Sequence, residues 1–278
     1  MNYFLPIRCR RNRRSESIRS LVRENSVTVD DLIMPLFVIE GENQKIEVKS
    51  MPRMNRLSID NLKKECAELW NLGIKAVALF PAIDDSLKDK TATESTNPEG
   101  LFQRAIKAVK EVCPEMLVVT DVAMDPYSSD GHDGYVENGQ IINDKTLPIL
   151  ADMAVAQAKA GADIIAPSDM MDGRVDVIRT ALDDAGYTDV GIMSYTVKYA
   201  SAYYGPFRDA LDSAPTAGDK KTYQMDPAHV AEATREVELA STEGAAFVMV
   251  KPGIPYLYVV LPGAVISTLP VAVLHASR

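Results

Sequence analysis

The chain has 278 residues, of which 46% are hydrophobic and 25% are charged, and its formal net charge is −9. This composition is typical of a globular protein large enough to bury a substantial core, and the negative charge argues against general affinity for nucleic acid. The cysteines are far apart and lack C-x-x-C spacing, so neither a disulfide framework nor a cysteine zinc site is expected: Cys9, Cys66 and Cys113. Without an apolar signal stretch or a run long enough to cross a bilayer, we expect a cytoplasmic protein with no membrane partner.

The start of the chain forms a basic segment that differs from the acidic remainder. Its arginines are Arg8, Arg10, Arg11, Arg13, Arg14, Arg19 and Arg23. A basic arm can bind nucleic acid, or it can lie on an acidic neighbouring subunit. Because the rest of the chain is acidic and contains no recognition motif, we favour the subunit contact. We therefore divide the chain into an N-terminal arm, residues 1–25, and one barrel domain, residues 26–278.

Continuous apolar runs follow the arm and alternate with helical patterns. The runs cover residues 32–39, 74–81, 116–122, 162–167, 190–197 and 245–250. Runs of this kind are typical of parallel strands that are buried on both faces. Because no dinucleotide-binding G-x-G-x-x-G follows the first strand, the pattern favours an α/β fold of the TIM (β/α)8-barrel type over a Rossmann sheet.

Helix-start signals lie between these strands. Ser58 is a candidate cap for one helix, Asn97-Pro98 opens another, and Asp226-Pro227 opens a third. Residues 145–160 and 174–186 supply two further helical patterns.

Two lysines stand at the ends of strands five and six. Lys198 closes the run that begins at Val190, and Lys251 closes the run that begins at Ala246. A buried amine, or one close to a second amine, loses its proton more easily and becomes nucleophilic near neutral pH. Two such amines in one cleft indicate imine chemistry on a carbonyl substrate. The alternative is that each lysine only marks a strand end at the surface.

The loop after strand three is rich in oxygen ligands. It reads D-V-A-M-D-P-Y-S-S-D-G-H-D-G, and its candidate ligands are Asp121, Asp125, Asp130, Asp133 and His132. Such a set would favour a hard cation such as Mg²⁺ over Zn²⁺. The same residues are also common in loops that use carboxylates to form turns, and the spacing does not decide between the two interpretations.

A long segment between Lys198 and Asp226 is a candidate lid over the amines. It carries aromatic side chains, including Phe207, and the cations Arg208 and Lys220. These cations could pair with a substrate carboxylate.

Four stretches of the chain resemble the porphobilinogen synthase family, also called δ-aminolevulinic acid dehydratase. They read P-S-D-M-M-D-G-R (167–174), M-S-Y-T-V-K-Y-A-S-A-Y-Y-G-P-F-R (193–208), G-D-K-K-T-Y-Q-M-D-P (218–227) and V-M-V-K-P-G (248–253). The resemblance runs from about Arg8 to Leu257. It implies a TIM barrel that joins two 5-aminolevulinate molecules into porphobilinogen, and an arm that embraces a neighbouring subunit, usually within a homo-octamer.

The resemblance also implies roles for individual residues. Lys251 would form the imine with the propionate-side substrate, and Lys198 with the acetate-side substrate. The remaining predicted substrate-binding residues are Arg208 and Lys220, which would hold a carboxylate, with Asp121, Ser168, Phe207 and Ser277.

The metal prediction follows from the same family resemblance. Zinc-using relatives have cysteines at the positions of Ala123, Asp125 and Asp133, so this chain resembles the Mg²⁺- or K⁺-responsive type and we expect no zinc here. Glu236 matches a glutamate that the family associates with allosteric Mg²⁺, and Asp125 and Asp133 are additional candidate ligands. We expect Mg²⁺ and no organic cofactor.

The resemblance fails after Leu257. Pro262 and Gly263 interrupt helix formation where the family has a charged amphipathic helix. We expect C-terminal strands to be missing or altered and the barrel to lack closure, because an eighth strand removes the exposed edge. Weak or no activity is therefore expected of this chain. Ser277 aligns with a carboxylate-binding serine, but its sequence surroundings differ from those of the family.

Two alternatives stay open on the sequence. A Schiff-base aldolase would need one imine lysine and a phosphate site, and no glycine-rich phosphate turn is visible. A catalytically dead subunit could join mixed oligomers through its arm.

Overall fold

The structure, a computed structural model, describes residues 5–211, 213, 215–260 and 267–275, without the side chain of Arg208. Its strands are β1 (Ile33–Val38), β2 (Lys45–Glu47), β3 (Asn55–Leu57), β4 (Ala76–Pro81), β5 (Leu117–Val122), β6 (Val136–Glu137), β7 (Gln140–Ile141), β8 (Ile164–Pro167), β9 (Gly191–Lys198), β10 (Phe247–Lys251) and β11 (Val271–Val273). Its α-helices are α1 (Glu16–Leu21), α2 (Ile59–Asn71), α3 (Leu101–Val112), α4 (Asn143–Ala160), α5 (Arg174–Asp184), α6 (Gly205–Leu211) and α7 (Val230–Thr242).

One curled sheet organises the described part of the chain. Its strand order is β11-β10-β9-β8-β5-β4-β1-β3-β2, and β6 and β7 form a separate hairpin. Neighbours from β1 through β11 pair in parallel. The connections between successive parallel strands from β1 to β10 contain α2, α3, α4, α5 and α7. This is the α/β TIM-type barrel architecture that the sequence predicts. At the other edge β3 runs parallel to β1 and antiparallel to β2.

The predicted strands and helices are present, but two helices begin later than expected. The helix predicted from Asn97 begins at Leu101, and the helix predicted from Asp226 begins at Val230. In both cases the side chain bonds a backbone N–H two residues ahead: Asn97 accepts from Glu99, and Asp226 accepts from Ala228. These polar side chains therefore make turns before the helix rather than capping it.

Apolar side chains pack on both faces of the sheet. The cluster between the sheet and helices α2 to α5 includes Leu62, Phe102, Val118 and Ile178, all essentially inaccessible to solvent. Alternate strand residues point to the opposite, interior face and pack with α6. There the ring of Phe207 makes edge contacts with Phe37 and Phe80, at centroid distances of 5.5 and 4.9 Å.

The N-terminal segment lies apart from this core. Residues 5–32 are exposed except for the half-buried Ile18, and the segment contains a 3₁₀ turn (Cys9–Arg13) followed by α1. Large apolar side chains are among those left in solvent: Ile7, Leu21 and Val27 are each more than 80% exposed. Among the helices in the described ranges, none has the length and apolar character needed to cross a bilayer.

Candidate active site

Polar side chains from four neighbouring strands meet at one cavity. Asp121 lies near the end of β5, Ser168 follows β8, and Lys198 and Lys251 end β9 and β10. The carboxyl ends of the strands are where barrel enzymes place their chemistry. The cavity lining is Asp121, Asp125, Ser168, Lys198, Tyr204, Phe207, Leu211, Ser213, Lys220, Gln224 and Lys251. The structure thus brings most of the predicted site residues together.

An irregularity in the pairing of β9 and β10 aims both lysines at this cavity. Val248 pairs with Ser194 and Val250 pairs with Val197. Between these two pairs, β9 therefore contains one more residue than β10. Lys251 points into the barrel interior because alternate residues of β10 face that side of the sheet. Because of the extra residue, Lys198 shares the interior face with Tyr195, which strict alternation would forbid. The two lysines are direct register partners on adjacent strands.

Lys251 lies among aromatic rings and is only 4% exposed. Its Nζ lies 3.9 Å from the ring centroid of Phe207, 5.2 Å from that of Tyr195 and 5.3 Å from that of Tyr204. Burial first, and then the charge of Lys198, lower the pKa of Lys251 to about 7. A substantial fraction of this amine is therefore an uncharged nucleophile at neutral pH.

Lys198 is equally buried, at 6% exposure, but it has an ionic partner. Its Nζ donates to Asp133 Oδ2 at 2.9 Å and to the carbonyl oxygen of Ser168. The sequence argument treated the two lysines alike, as a pair of neutral amines. The structure gives them different surroundings, because Lys198 contacts a buried carboxylate and Lys251 contacts aromatic rings.

Lys220 shares the same carboxylate. Its Nζ lies 2.6 Å from Asp133 Oδ1 and 3.1 Å from Asp125 Oδ2. Burial opposes the charge of Lys220, but the two carboxylates outweigh it and raise the pKa of this lysine. Burial likewise opposes ionisation of Asp133, but Lys198 and Lys220 outweigh it and hold the pKa of that carboxyl well below its usual range. The group is thus a buried chain of two lysines and two aspartates.

Asp121 has a different environment. Burial is the largest cause that raises its pKa to about 6, with Asp125 acting in the same direction and Lys251 opposing. Its Oδ1 atom is buried and accepts no hydrogen bond from the described residues. Asp121 can therefore take up or release a proton near neutral pH beside the amine of Lys251.

Two carboxylates that the sequence predicts as metal ligands accept hydrogen bonds from lysines in the structure. Asp125 and Asp133 accept from lysine ammonium groups, which leaves little room for a cation between them. Across the ranges that the structure describes, no three His, Cys, Asp or Glu side chains are placed to hold an ion together. Glu236 lies elsewhere, on α7, where it lines a larger cavity of about 930 Å³ with Asp172 and Glu232.

Some predicted site residues lie outside the part of the chain that the structure describes. Ser277 and the side chain of Arg208 are outside the described residues. Conversely, sequence reasoning missed Tyr195 beside Lys251, Gln224 in the lining, and the contact of Asp133 with Lys198. Only Tyr195 had a sequence signal, its place on the same strand as Lys198, and strict alternation would have placed it on the opposite face.

A barrel whose carboxyl-end cavity holds two buried lysine amines on adjacent strands has an arrangement suited to an enzyme that captures carbonyl compounds. The model of the family described as delta-aminolevulinic acid dehydratase matches residues 6–278. The chain belongs to this family, whose members are lyases.

Curated relatives and a solved structure agree with the family match. The chain is 55% identical over 257 residues to delta-aminolevulinic acid dehydratase of Bradyrhizobium diazoefficiens, covering 92% of this chain and 73% of that protein. It is 54% identical over 283 residues to the chloroplastic enzyme of Chlamydomonas reinhardtii, covering 98% and 73%. The Toxoplasma gondii enzyme, solved in complex with its reaction product porphobilinogen, superposes with a TM-score of 0.94 at 53% identity and covers 96% of this chain and 77% of that one.

Proposed function

We propose that this chain condenses two molecules of 5-aminolevulinate into porphobilinogen, with loss of water, through imines at Lys198 and Lys251. The observation that carries the proposal is that the two lysines are register partners, both buried, in one cavity. A Schiff-base aldolase needs one such lysine, so the second buried amine and the family match favour the condensation.

The two amines differ in their surroundings. Lys251, with its lowered pKa, is ready to attack a ketone carbonyl, form a carbinolamine and expel water to give the imine. A protonated imine withdraws electrons and acidifies the adjacent carbon, so one bound substrate supplies a carbon nucleophile and the other an electrophile. Holding both substrates in one cavity can lower the barrier by roughly 7–11 kcal/mol in well-oriented systems.

Nearby groups can move the protons that these steps require. Asp121 is a candidate acid–base group, since its pKa of about 6 lies close to the working range and its Oδ1 is unpaired within the described structure. Asp133 is the carboxylate in hydrogen-bond contact with Lys198, so it orients this amine at the cavity. The resemblance supports substrate-carboxylate binding by Lys220 and Arg208, lining of the substrate pocket by Ser168, and a propionate-side contact by Ser277. Phe207 packs against the amine of Lys251.

Product formation tests this proposal. We expect the purified chain to convert 5-aminolevulinate into porphobilinogen at a low but measurable rate, and Lys251→Met to abolish the conversion. Lys221→Met is the matched control, because that lysine side chain is 75% exposed next to the lid's Lys220. Equal loss in both variants, or conversion that survives Lys251→Met, would refute the assignment.

The low activity predicted from the altered C-terminal segment stays a prediction. It is checked in the same assay by comparing turnover with that of a longer relative. Imine formation without turnover would favour a catalytically impaired subunit, the alternative that the sequence left open.

We also propose that Mg²⁺ binds at Glu236, away from the amines. Glu236 is half-buried, and its pKa is raised first by burial, against the influence of Arg174, with Asp172 and Glu232 adding to the rise. A divalent cation would relieve this repulsion. Mg²⁺ commonly keeps several waters and takes only one or two carboxylates, so the donor set fits without a full protein cage. Bound there, the ion would supply charge neutralisation next to α7 and the lid.

Thermal unfolding provides a readout of this site that does not depend on activity. We expect Mg²⁺ to raise the Tm of the unmodified chain and of Glu238→Gln, which alters an exposed glutamate on the same helix. Glu236→Gln should lose the Mg²⁺-dependent rise. An equal rise in all three proteins would place the ion elsewhere.

The N-terminal arm is the proposed contact between subunits. Its exposed apolar side chains at Ile7, Leu21 and Val27 support packing against another molecule, and its arginines suit an acidic surface. By resemblance to the family we propose a homo-octamer. The cytoplasmic location stays a prediction, because the Chlamydomonas relative is named chloroplastic.

A further inference from the structure

Two side chains outside the imine chemistry join the lid segment to the loop after β5. The His132 ring has one nitrogen, Nε2, 2.9 Å from the Ala217 carbonyl oxygen and the other, Nδ1, 3.1 Å from the Tyr223 hydroxyl. The backbone N–H of Asp133 donates to the same hydroxyl at 3.3 Å. Ala217 and Tyr223 both belong to residues 215–225, the last part of the lid between Lys198 and Asp226. We call His132 and Tyr223 the lid clasp.

One assignment of the protons pairs every polar atom of the lid clasp with a hydrogen-bond partner of the correct type. A carbonyl oxygen only accepts, so Nε2 of His132 carries a proton, and in the neutral imidazole this leaves Nδ1 as an acceptor. Tyr223 then donates its hydroxyl proton to Nδ1 while the hydroxyl oxygen accepts from Asp133. Each of these atoms has a partner of the correct type, which indicates a built contact rather than a chance approach.

The clasp contacts the same residue that organises the lysines. Asp133 is fully buried, and its two carboxylate oxygens are divided between Lys198 and Lys220. The backbone N–H groups of Tyr223 and Gln224 both donate to the carbonyl of Lys220, at 3.4 and 2.9 Å. One tight turn of the lid therefore carries both the hydroxyl that bonds the Asp133 backbone and the ammonium that bonds the Asp133 carboxylate.

A second attachment lies beside the clasp. The backbone N–H and the hydroxyl of Thr216 both donate to the carbonyl of Asp130, each at 3.1 Å. The lid is thus attached to the loop after β5 on both sides of Asp219. This attachment determines the position of Lys220 relative to Asp133.

We propose that His132 and Tyr223 are positioning residues that lock the lid onto Asp133, so that one carboxylate is shared between Lys198 and Lys220. The catalytic consequence rests on the proposed function. When the clasp is broken, the lid loosens and Asp133 no longer holds a fixed place beside Lys198, whereas Lys251, set by β10 and its aromatic neighbours, is unaffected.

Tyr223→Phe tests the proposal because it removes the hydroxyl and keeps the ring. Tyr203→Phe is the matched control, since Tyr203 is 61% exposed and lies outside the clasp. The first readout is amide hydrogen exchange over residues 216–225. We expect exchange in Tyr223→Phe to rise by roughly fivefold or more, as the loss of a hydrogen bond implies, and to stay at the unmodified level in the control.

The second readout is the ratio of reductive labelling at Lys198 to that at Lys251, with 5-aminolevulinate and cyanoborohydride and analysis by peptide mass spectrometry. We expect this ratio to fall in Tyr223→Phe and in His132→Ala. His132→Gln, whose amide can still donate to the Ala217 carbonyl, should recover part of it.

Faster lid exchange together with a lower labelling ratio supports the proposal, and the absence of either change overturns it. If the unmodified chain is labelled at neither lysine, the proposed function fails, and the exchange measurement alone decides the clasp. A fall in labelling at both lysines alike would indicate general loss of structure and would also contradict a selective positioning role.

Discussion

At the scale of single residues, the site is explained by the different surroundings of two otherwise similar lysines. Lys251 has aromatic rings around its amine, and its desolvated ammonium form is disfavoured. Lys198 has a carboxylate and a carbonyl oxygen as hydrogen-bond partners instead. The groups in contact with each amine, and not burial alone, therefore distinguish the two lysines.

The pH dependence of labelling at Lys251 follows from its pKa of about 7. Below that pH the amine is protonated and cannot attack a carbonyl, and above it the amine is free. We expect the initial rate of cyanoborohydride labelling by a small neutral ketone to rise with pH and to reach its half-maximal value near pH 7. Lys251→Met serves as the control that identifies the labelled site. A Lys251 profile whose half-maximum lies near the ordinary lysine pKa of about 10.4 would contradict the lowered pKa.

Lys220 is expected to stabilise the fold through its two carboxylates. Replacing it with methionine leaves Asp125 without its ammonium partner and Asp133 with one partner in place of two. Removing one member of a buried ion pair costs about 3–5 kcal/mol, so urea unfolding should show a loss of that order. Lys221→Met, at the exposed neighbouring position, should change stability by less than about 0.5 kcal/mol. Similar values for the two variants would show that the buried pairs contribute little.

At the scale of elements, strands were predictable from the sequence, but the direction of one side chain was not. Continuous apolar runs located β1, β4, β5, β8, β9 and β10 within a few residues. The extra residue in β9 left no signal, because Ser194-Tyr-Thr-Val reads as ordinary strand sequence, and it alone turns Lys198 into the cavity. Short elements such as β2, β3 and α6 were also missed, since their stability comes from tertiary contacts rather than from local pattern.

Helix α6 shows how such tertiary contacts form part of the site. Arg56 of β3 donates from Nε to the Ala210 carbonyl at 2.7 Å, and the Ser50 hydroxyl donates to the Pro206 carbonyl at 3.2 Å. These bonds hold α6 against the mouth of the barrel, where Phe207 covers the amine of Lys251. The lysine environment thus depends on segments more than 150 positions apart in the chain.

Phe207→Ala should therefore affect both stability and amine chemistry. The loss of a buried phenylalanine ring costs about 3–5 kcal/mol. Because water then reaches Lys251, the half-maximal pH of its labelling should also move upward. Tyr203→Ala, an exposed aromatic position in the adjoining 3₁₀ turn, should change neither property. An unchanged labelling profile in Phe207→Ala would show that this ring does not control the solvation of the amine.

At the scale of the whole molecule, the barrel has a buried apolar core, whereas the described part of the arm has none. The barrel buries apolar residues in three clusters, while the arm leaves Ile7, Leu21 and Val27 in solvent. The family resemblance and the exposed apolar groups both point to a partner molecule for the arm. The sequence predicted this segment from its charge.

Deleting residues 1–25 should accordingly reduce the size of the assembly. We expect sedimentation velocity to show a smaller species than the full chain at the same concentration, because the apolar contacts of the arm are lost. The far-ultraviolet circular dichroism of the barrel should be retained, which distinguishes disassembly from unfolding. An unchanged sedimentation coefficient, corrected for mass, would show that the arm does not hold subunits together.

The most direct measurement is reductive trapping of the unmodified chain with 5-aminolevulinate, followed by intact-mass and peptide analysis. The account predicts that single protein molecules carry substrate at both Lys198 and Lys251, with exposed lysines such as Lys221 unlabelled. Label confined to exposed lysines, or present at only one of the two buried amines under saturating substrate, would contradict it.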